Sequence, residues 1–170
     1  MIKGVTNYRG ITKFYFLTIL KQIIKLGDLD SREIQILDFG CGQNKLKEIL
    51  GPKVIGYDIL KEFTDIDCWH DVEFEVLVAN QVFYTFTQDD LINLLKKLNV
   101  KCPNLELIIG ISNQNYLNNL GKYIFNKRDA HKSTLLDPKM EINILLDFCD
   151  LIEMKEIFSL TKIYRLKFKT

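Results

Sequence analysis

The chain has 170 residues and a formal net charge of +1, and 47% of its residues are hydrophobic and 26% charged, which is the composition of an ordinary globular domain. The near-neutral charge gives no strong attraction to nucleic acid or to a membrane surface. The four cysteines lie far apart without a CxxC pair, which argues against a zinc cluster or a dithiol redox motif. We therefore expect a single domain over residues 1–170, in a reducing cytoplasm and without a membrane span.

Apolar residues recur along the chain in a pattern that alternates between helix and strand. An amphipathic helix comes first, within an N-terminal helix region over residues 1–27, and Gly27 is placed to end it. Four short apolar runs then predict strands buried on both faces: "IQILDF", "KVIGYDIL", "FEVLVANQVF" and "LELIIGIS". A short helix is expected from about Asn44 to Leu50, between the first two runs.

Two further helices carry N-terminal capping signals. Thr87 and Asp90 form a capping-box pattern before one of them, and Asp137 with Pro138 begins the other. The chain closes with "LIEMKEIF" and "KIYRLKF", joined by "SLT", so we expect these strands to pair antiparallel. The order predicts an α/β three-layer sandwich with a mostly parallel sheet and a C-terminal antiparallel hairpin.

A glycine-rich turn, "DFGCGQN", joins the first buried run to the helix after it. Such a turn is a ligand site by geometry, because glycine lets the backbone approach a ligand and the helix N-terminus offers free N–H groups. The phosphate-loop pattern GxxxxGK[ST] is absent. In the dinucleotide pattern GxGxxG the last position would be Lys45, whose long side chain disfavours a pyrophosphate.

The turn resembles the [D/E]xGxGxG motif of the class I, Rossmann-like S-adenosylmethionine-dependent methyltransferases. Asp38, Gly40 and Gly42 match the motif, and Asn44 stands where the family has its third glycine. Asparagine is the non-glycine residue best suited to positive φ, so the departure is mild. The family also places an acid after its second strand to hold the ribose hydroxyls, and Asp58 stands there, twenty residues after Asp38.

The resemblance extends over most of the chain. "FEVLVANQVFYTF" is similar to the family's "FDVVVAxxVLEHL", although Tyr84 and Thr85 replace the Glu-His pair. "DAHKSTLLDPKMEINILL" is similar to the "DxxHxxxxxxxEL" stretch of many small-molecule members. The family's Rossmann-like sheet has seven strands, so the resemblance implies seven here, with one of them in the short stretch "LKEFTDIDCWHDVE".

The resemblance implies S-adenosylmethionine as the cofactor and assigns its contacts. Adenine would be held by an acid, for which both Asp65 and Asp67 are candidates and Asp67 is favoured, with Cys68 and Trp69 as packing partners. The alternative is that Asp67 is an ordinary loop acid and Trp69 a core residue. Asn80 would lie near the reacting methyl group, or would satisfy loop backbone groups instead. The implied cofactor-binding residues are Asp38, Gly40, Cys41, Gly42, Asp58, Ile59, Asp67, Cys68 and Asn80.

The implied reaction is methyl transfer to oxygen or nitrogen of a small acceptor. His131 is the candidate general base, since histidine titrates near neutral pH, and its alternative role is a loop-orienting hydrogen bond. Residues 113–137 have the length of a substrate lid and interleave cations with aromatics, and they fit either a solvated helix face or a cap that favours an anionic acceptor. Tyr8 and Arg9 precede the first helix and are either candidates to cover the cofactor or ordinary surface residues. No metal-ligand cluster is evident, and the oligomeric state is open.

Three other functions fit parts of the pattern. Asn44, the absent Glu-His pair and the short adenine segment also fit a non-catalytic S-adenosylmethionine-binding protein of the same fold. A nicotinamide-dependent reductase is disfavoured by Lys45. Nucleic acid as acceptor is disfavoured by the neutral charge and by the absence of an "NPPY"-type motif.

Overall fold

A computed structural model describes residues 11–112 and 135–170 of the chain. Helices and strands alternate in it, as the sequence predicts. The helices are α1 (Ile11–Gly27), α2 (Lys45–Leu50), α3 (Gln88–Lys101) and α4 (Pro138–Phe148), and the strands are β1 (Ile36–Phe39), β2 (Val54–Tyr57), β3 (Val76–Asn80), β4 (Glu106–Ser112), β5 (Cys149–Ile157) and β6 (Thr161–Phe168). Both capping predictions are confirmed: Thr87 and Asp90 form a capping box, and the Asp137 side chain accepts hydrogen bonds from the first turn of α4.

The strands form one mixed sheet in the order β2-β1-β3-β4-β6-β5. The first four are parallel, and β6 lies antiparallel between β4 and β5. The predicted parallel sheet and its C-terminal hairpin are therefore confirmed. Because the parallel strands run in one direction, the loops that follow β1, β2, β3 and β4 all leave the sheet at the same carboxyl edge.

The prediction of seven strands is wrong, since the sheet of the described residues has six. The stretch after β2, where a further strand is expected, contains a short 3-10 turn over Trp69–Asp71 instead. What remains of strand pairing there is local. The Asp65 N–H donates to the Gly56 carbonyl, and the Gly56 N–H donates to the Asp65 carboxylate, at 2.8 and 2.7 Å. The Gly56 N–H is thus bonded to the Asp65 side chain and not to a backbone carbonyl, so no strand pairing of the described residues continues beyond this one.

Helices cover both faces of the sheet. On one face α1 and α2 bury Ile19, Ile23 and Leu46 against β1, β3 and β4. On the other face α3 and α4 bury leucines together with Trp69 and Phe83. Trp69 is 6% exposed and contacts Phe74, so its role as a core residue is the interpretation that the structure supports. No helix among the described residues is long and apolar enough to cross a membrane.

An ion cluster closes the amino edge of the sheet. The carboxylate of Glu106 accepts hydrogen bonds from Arg165 at 3.0 and 3.1 Å and from Arg32 at 3.1 Å. The two arginines also donate to the carbonyls of Gly27 and Leu26, which end α1. This cluster therefore fixes α1 on the sheet at the edge opposite to the glycine loop.

Candidate functional site

The glycine loop between β1 and α2 depends on three residues with positive φ. Gly40, Gly42 and Asn44 have φ values of 75°, 50° and 55°. A Cβ on Gly40 would lie 2.5 Å from the Val82 Cγ2, whereas a Cβ on Gly42 would meet no atom of the described residues within 4 Å. Gly40 is therefore required by packing against the loop after β3, and Gly42 leaves open space at the carboxyl edge.

Asp58 joins the glycine loop to the end of β2. Its Oδ2 accepts the N–H of Gly42 at 3.0 Å, and its Oδ1 accepts the N–H of Leu60 at 3.0 Å. The Gly40 and Cys41 N–H groups donate to the carbonyl of Tyr57, one residue earlier. A carboxylate has about four acceptor positions, and the described residues use two of those on Asp58, so roughly two are left for hydroxyl donors as far as these residues go. The glycine loop and Asp58, which the sequence motif associates, are thus in direct contact.

Asn44 has a role that the glycine of the family motif could not have. Its Nδ2 donates to the Phe63 carbonyl at 2.7 Å, and the Cys41 Sγ approaches the same carbonyl at 3.4 Å. Its buried Oδ1 has no hydrogen-bond partner among residues 11–112 and 135–170 and lies against Gly56, where a Cβ would be 2.1 Å away. Asn44 therefore ties the glycine loop to the loop that follows β2. Burial raises the pKa of Cys41 to about 12, and neighbouring acids add to this, so its thiol stays protonated.

Asp38 is a buried acid beneath the glycine loop. It is 7% exposed in β1, and within the described residues no group donates a hydrogen bond to its carboxyl. Burial, and secondarily the charge of Asp58, raises the pKa of Asp38 to about 7. A buried carboxylate is costly without a partner, so this position favours a cationic group of a ligand.

The two candidate adenine acids differ in their surroundings. Burial raises the pKa of Asp65, but hydrogen bonds from Lys47 and Gly56 outweigh it, and the net pKa lies below the ordinary value. Asp65 is thereby engaged in holding β2, at 2.8 Å from Lys47 and 2.7 Å from Gly56. Asp67 is exposed, and Cys68, beside it, is half-buried. Ile59, directly after Asp58, is 79% exposed and presents an apolar side chain at the same edge.

Asn80 ends β3, two strands from β2, with a buried acceptor. Its Oδ1 has no hydrogen-bond partner in the described part of the chain and lies against Gly110, where a Cβ would be 2.4 Å away. The next residue, Gln81, has a positive φ of 57°. Its Nε2 donates a hydrogen bond to the buried Thr161 Oγ1, and that hydroxyl also lies 2.6 Å from the Tyr15 hydroxyl. Sequence reasoning missed this polar group, because its members are 80 and 146 positions apart.

Comparison with known proteins identifies the fold. No family model and no curated protein matches the chain. Among solved structures, magnesium protoporphyrin IX methyltransferase from Synechocystis PCC 6803 with bound SAH superposes with a TM-score of 0.61 at 12% identity, over 96% of this chain and 90% of that one. The N-methyltransferase NodS from Bradyrhizobium japonicum WM9 in complex with S-adenosyl-L-homocysteine gives 0.63 at 14% identity, over 92% and 88%. A SAM-dependent methyltransferase from Aquifex aeolicus gives 0.58 at 14%, over 86% and 88%.

The chain has the class I methyltransferase fold. Within that fold the structure brings Asp38, Gly40, Cys41, Gly42 and Asp58 into one contiguous cluster through the contacts above. The loop with Asp67 and Cys68 also leaves the carboxyl edge, but no hydrogen bond among the described residues joins either side chain to the cluster.

Three of the sequence predictions lie outside the described residues. They concern the candidate base His131, the segment with Tyr8 and Arg9, and residues 113–134 of the 113–137 lid.

Proposed function

We propose that this chain is an S-adenosylmethionine-dependent methyltransferase that acts on oxygen or nitrogen of a small acceptor. One observation carries the proposal: the glycine loop donates through Gly42 to Asp58 at 3.0 Å, at the open carboxyl edge of the sheet. Solved neighbours of the same fold hold S-adenosylhomocysteine, which supports S-adenosylmethionine as the cofactor.

The residues at this edge fit the chemistry of that cofactor. Its ammonium group is a cation for the buried carboxyl of Asp38. Its ribose hydroxyls are donors for the free acceptor positions of Asp58. Gly42 leaves room for a close approach of the ligand to the backbone. Asn80 ends β3 at this same carboxyl edge, and on that ground we place it beside the bound cofactor.

The remaining contacts are proposed from the order of the loops. Ile59 packs against the adenine ring, and Asp67 accepts from its amino group, because the Asp65 carboxylate is already held by Lys47 and Gly56. Cys68 lies beside the ring.

Bound at this edge, the cofactor would supply a methyl group on sulfonium sulfur for transfer to an acceptor oxygen or nitrogen, and would be left as the neutral thioether. The chain aligns the acceptor with that methyl group, and such alignment can be worth about 7–11 kcal/mol. The acceptor's proton leaves to His131 or to water. No catalytic nucleophile is needed, and the protonated thiol of Cys41 is unsuited to be one.

The test is transfer of a labelled methyl group from S-adenosylmethionine to a panel of small hydroxy and amino compounds. We expect label in a panel compound with the wild-type chain and with Asp89→Ala, an exposed acid on α3 that serves as the matched control. Asp58→Ala should lose the activity. Cofactor binding with no transfer to any acceptor would favour the non-catalytic binding protein, and tighter binding of a nicotinamide dinucleotide would refute the proposal.

A further inference from the structure

A cleft opens at the carboxyl edge, on the face of the sheet that α3 and α4 cover. Its volume is about 210 Å³. Its walls come from the end of β4, the first turns of α4 and the start of β6. The lining residues are Ile111, Ser112, Pro138, Lys139, Ile142, Lys162 and Tyr164.

The register explains why these side chains meet. Lys162 pairs with Ile111, and Tyr164 pairs with Ile109, so both side chains of β6 point to the α4 face while Thr161 and Ile163 point to α1. Pro138, Lys139 and Ile142 lie within the first five residues of α4, which begins at this same edge. The cleft therefore combines cations from two elements with an apolar wall.

The charges in the cleft favour an anion. Among the residues that the structure describes, Lys162 forms one ion pair, with Glu156 at a loose 3.9 Å. Within residues 11–112 and 135–170 no carboxylate lies within ion-pair distance of Lys139. The Asp137 carboxylate is occupied with the N–H groups of Lys139 and Met140. Burial raises the pKa of Tyr164, and the charges of Glu141 and Glu156 add to this, so its hydroxyl remains a donor.

We propose that this cleft holds the anionic group of the acceptor, a carboxylate or phosphate bound by Lys139 and Lys162, with the acceptor's apolar body against Ile111 and Ile142. This inference rests on the proposed function. Neighbouring strands lie about 4.8 Å apart, and the cleft lies between β4 and β6, one to two strands from the end of β3. The cleft is thus about 5–10 Å from the end of β3, where Asn80 stands. An aromatic acid whose nucleophile lies opposite its carboxylate spans that distance.

The experiment measures binding first, so that it does not depend on finding the natural acceptor. The protein saturated with S-adenosylhomocysteine is titrated with 4-hydroxybenzoate. A separate titration uses inorganic phosphate, a probe that carries the anionic group but no apolar body. We expect saturable binding of 4-hydroxybenzoate that weakens about tenfold in Lys139→Ala and in Lys162→Ala, as for loss of a charged hydrogen bond. Lys96→Ala, an exposed lysine on α3, is the matched control and should bind as the wild type does.

A variant of opposite sign tests the location. Glu156→Gln removes the only acid paired with Lys162 among the described residues, so probe binding should tighten roughly threefold. Three results would overturn the inference. They are equal binding of 4-hydroxybenzoate and its amide, no saturable binding of either probe, and unchanged binding in both lysine variants. Failure of the proposed function shows separately, either as no binding of S-adenosylhomocysteine by the wild-type chain in the first step or as no transfer of the labelled methyl group in the assay above.

Discussion

The buried acid of the glycine loop makes the stability of the folded chain depend on pH. Burial and Asp58 raise the pKa of Asp38 from 3.8 to about 7. Between pH 4 and 7 the unfolded chain therefore releases a proton that the folded chain keeps. Stability falls as pH rises through this window, because the unfolded state binds fewer protons there. At about 1.4 kcal/mol for each pKa unit, the loss is about 4 kcal/mol by pH 8.

Asp38→Asn removes this titration while keeping the size of the side chain. We expect the variant to gain stability over the wild type as pH rises, from little at pH 4 to about 4 kcal/mol at pH 8. Urea denaturation at several pH values, followed by the fluorescence of the buried Trp69, measures the difference. If the variant shows the same dependence on pH as the wild type between pH 4 and 8, the reasoning about Asp38 is refuted.

Glu141 provides a matched comparison for Asp38. It is 2% exposed on the buried side of α4, and burial raises its pKa to about 8. Glu141→Gln should therefore also stabilise the chain at high pH, by a similar mechanism. The two variants should differ in one respect. S-adenosylhomocysteine carries an ammonium group for Asp38, so its binding should tighten about tenfold from pH 6 to 8 in the wild type and in Glu141→Gln, but not in Asp38→Asn.

Two further predictions concern the loop and the opposite edge. Gly40→Ala should lower the free energy of unfolding by about 3 kcal/mol, because it combines positive φ with a contact at 2.5 Å to Val82. Gly42→Ala should lower the free energy of unfolding by only about 1 kcal/mol, because no described atom lies where its Cβ would stand, yet it should weaken S-adenosylhomocysteine binding at least tenfold. If Gly40→Ala and Gly42→Ala lower the free energy of unfolding equally and weaken binding equally, this assignment of the two glycines is contradicted. Glu106→Gln should lower the free energy of unfolding by about 2 kcal/mol, because its carboxylate is 13% exposed and accepts from two arginines. Glu73→Gln, whose carboxylate is 90% exposed, should have no measurable effect in the same denaturation assay.

Local patterns predicted the parts of the site that are contiguous in sequence. The strand, turn and helix around Gly40 and Gly42 follow from a buried apolar run and two glycines, and the structure has them at the expected positions. The contact between Asp58 and the Gly42 N–H follows from the parallel pairing of β1 with β2, which brings their carboxyl ends together. Each of these features depends on a few residues that lie close together in the sequence, so it can be predicted from the sequence alone.

Features that depend on distant partners were missed. The strand expected near Asp65 is replaced by a side-chain hydrogen bond to Gly56, and composition cannot distinguish the two. Glu141 was not expected on the buried face of α4, because helical spacing places apolar residues inside and leaves acids to solvent. The contact of Val82 with Gly40 and the Tyr15 bond to Thr161 require the tertiary arrangement to be known.

The central claim is that the carboxyl edge around Asp58 binds S-adenosylmethionine. Isothermal titration of S-adenosylhomocysteine into the wild-type chain, Asp58→Ala and the control Asp89→Ala tests it most directly. We predict micromolar binding by the wild type and the control, and at least tenfold weaker binding by Asp58→Ala, because the ribose acceptor and the anchor of Gly42 are lost together. No binding by the wild type, or equal affinity in Asp58→Ala, would contradict the claim.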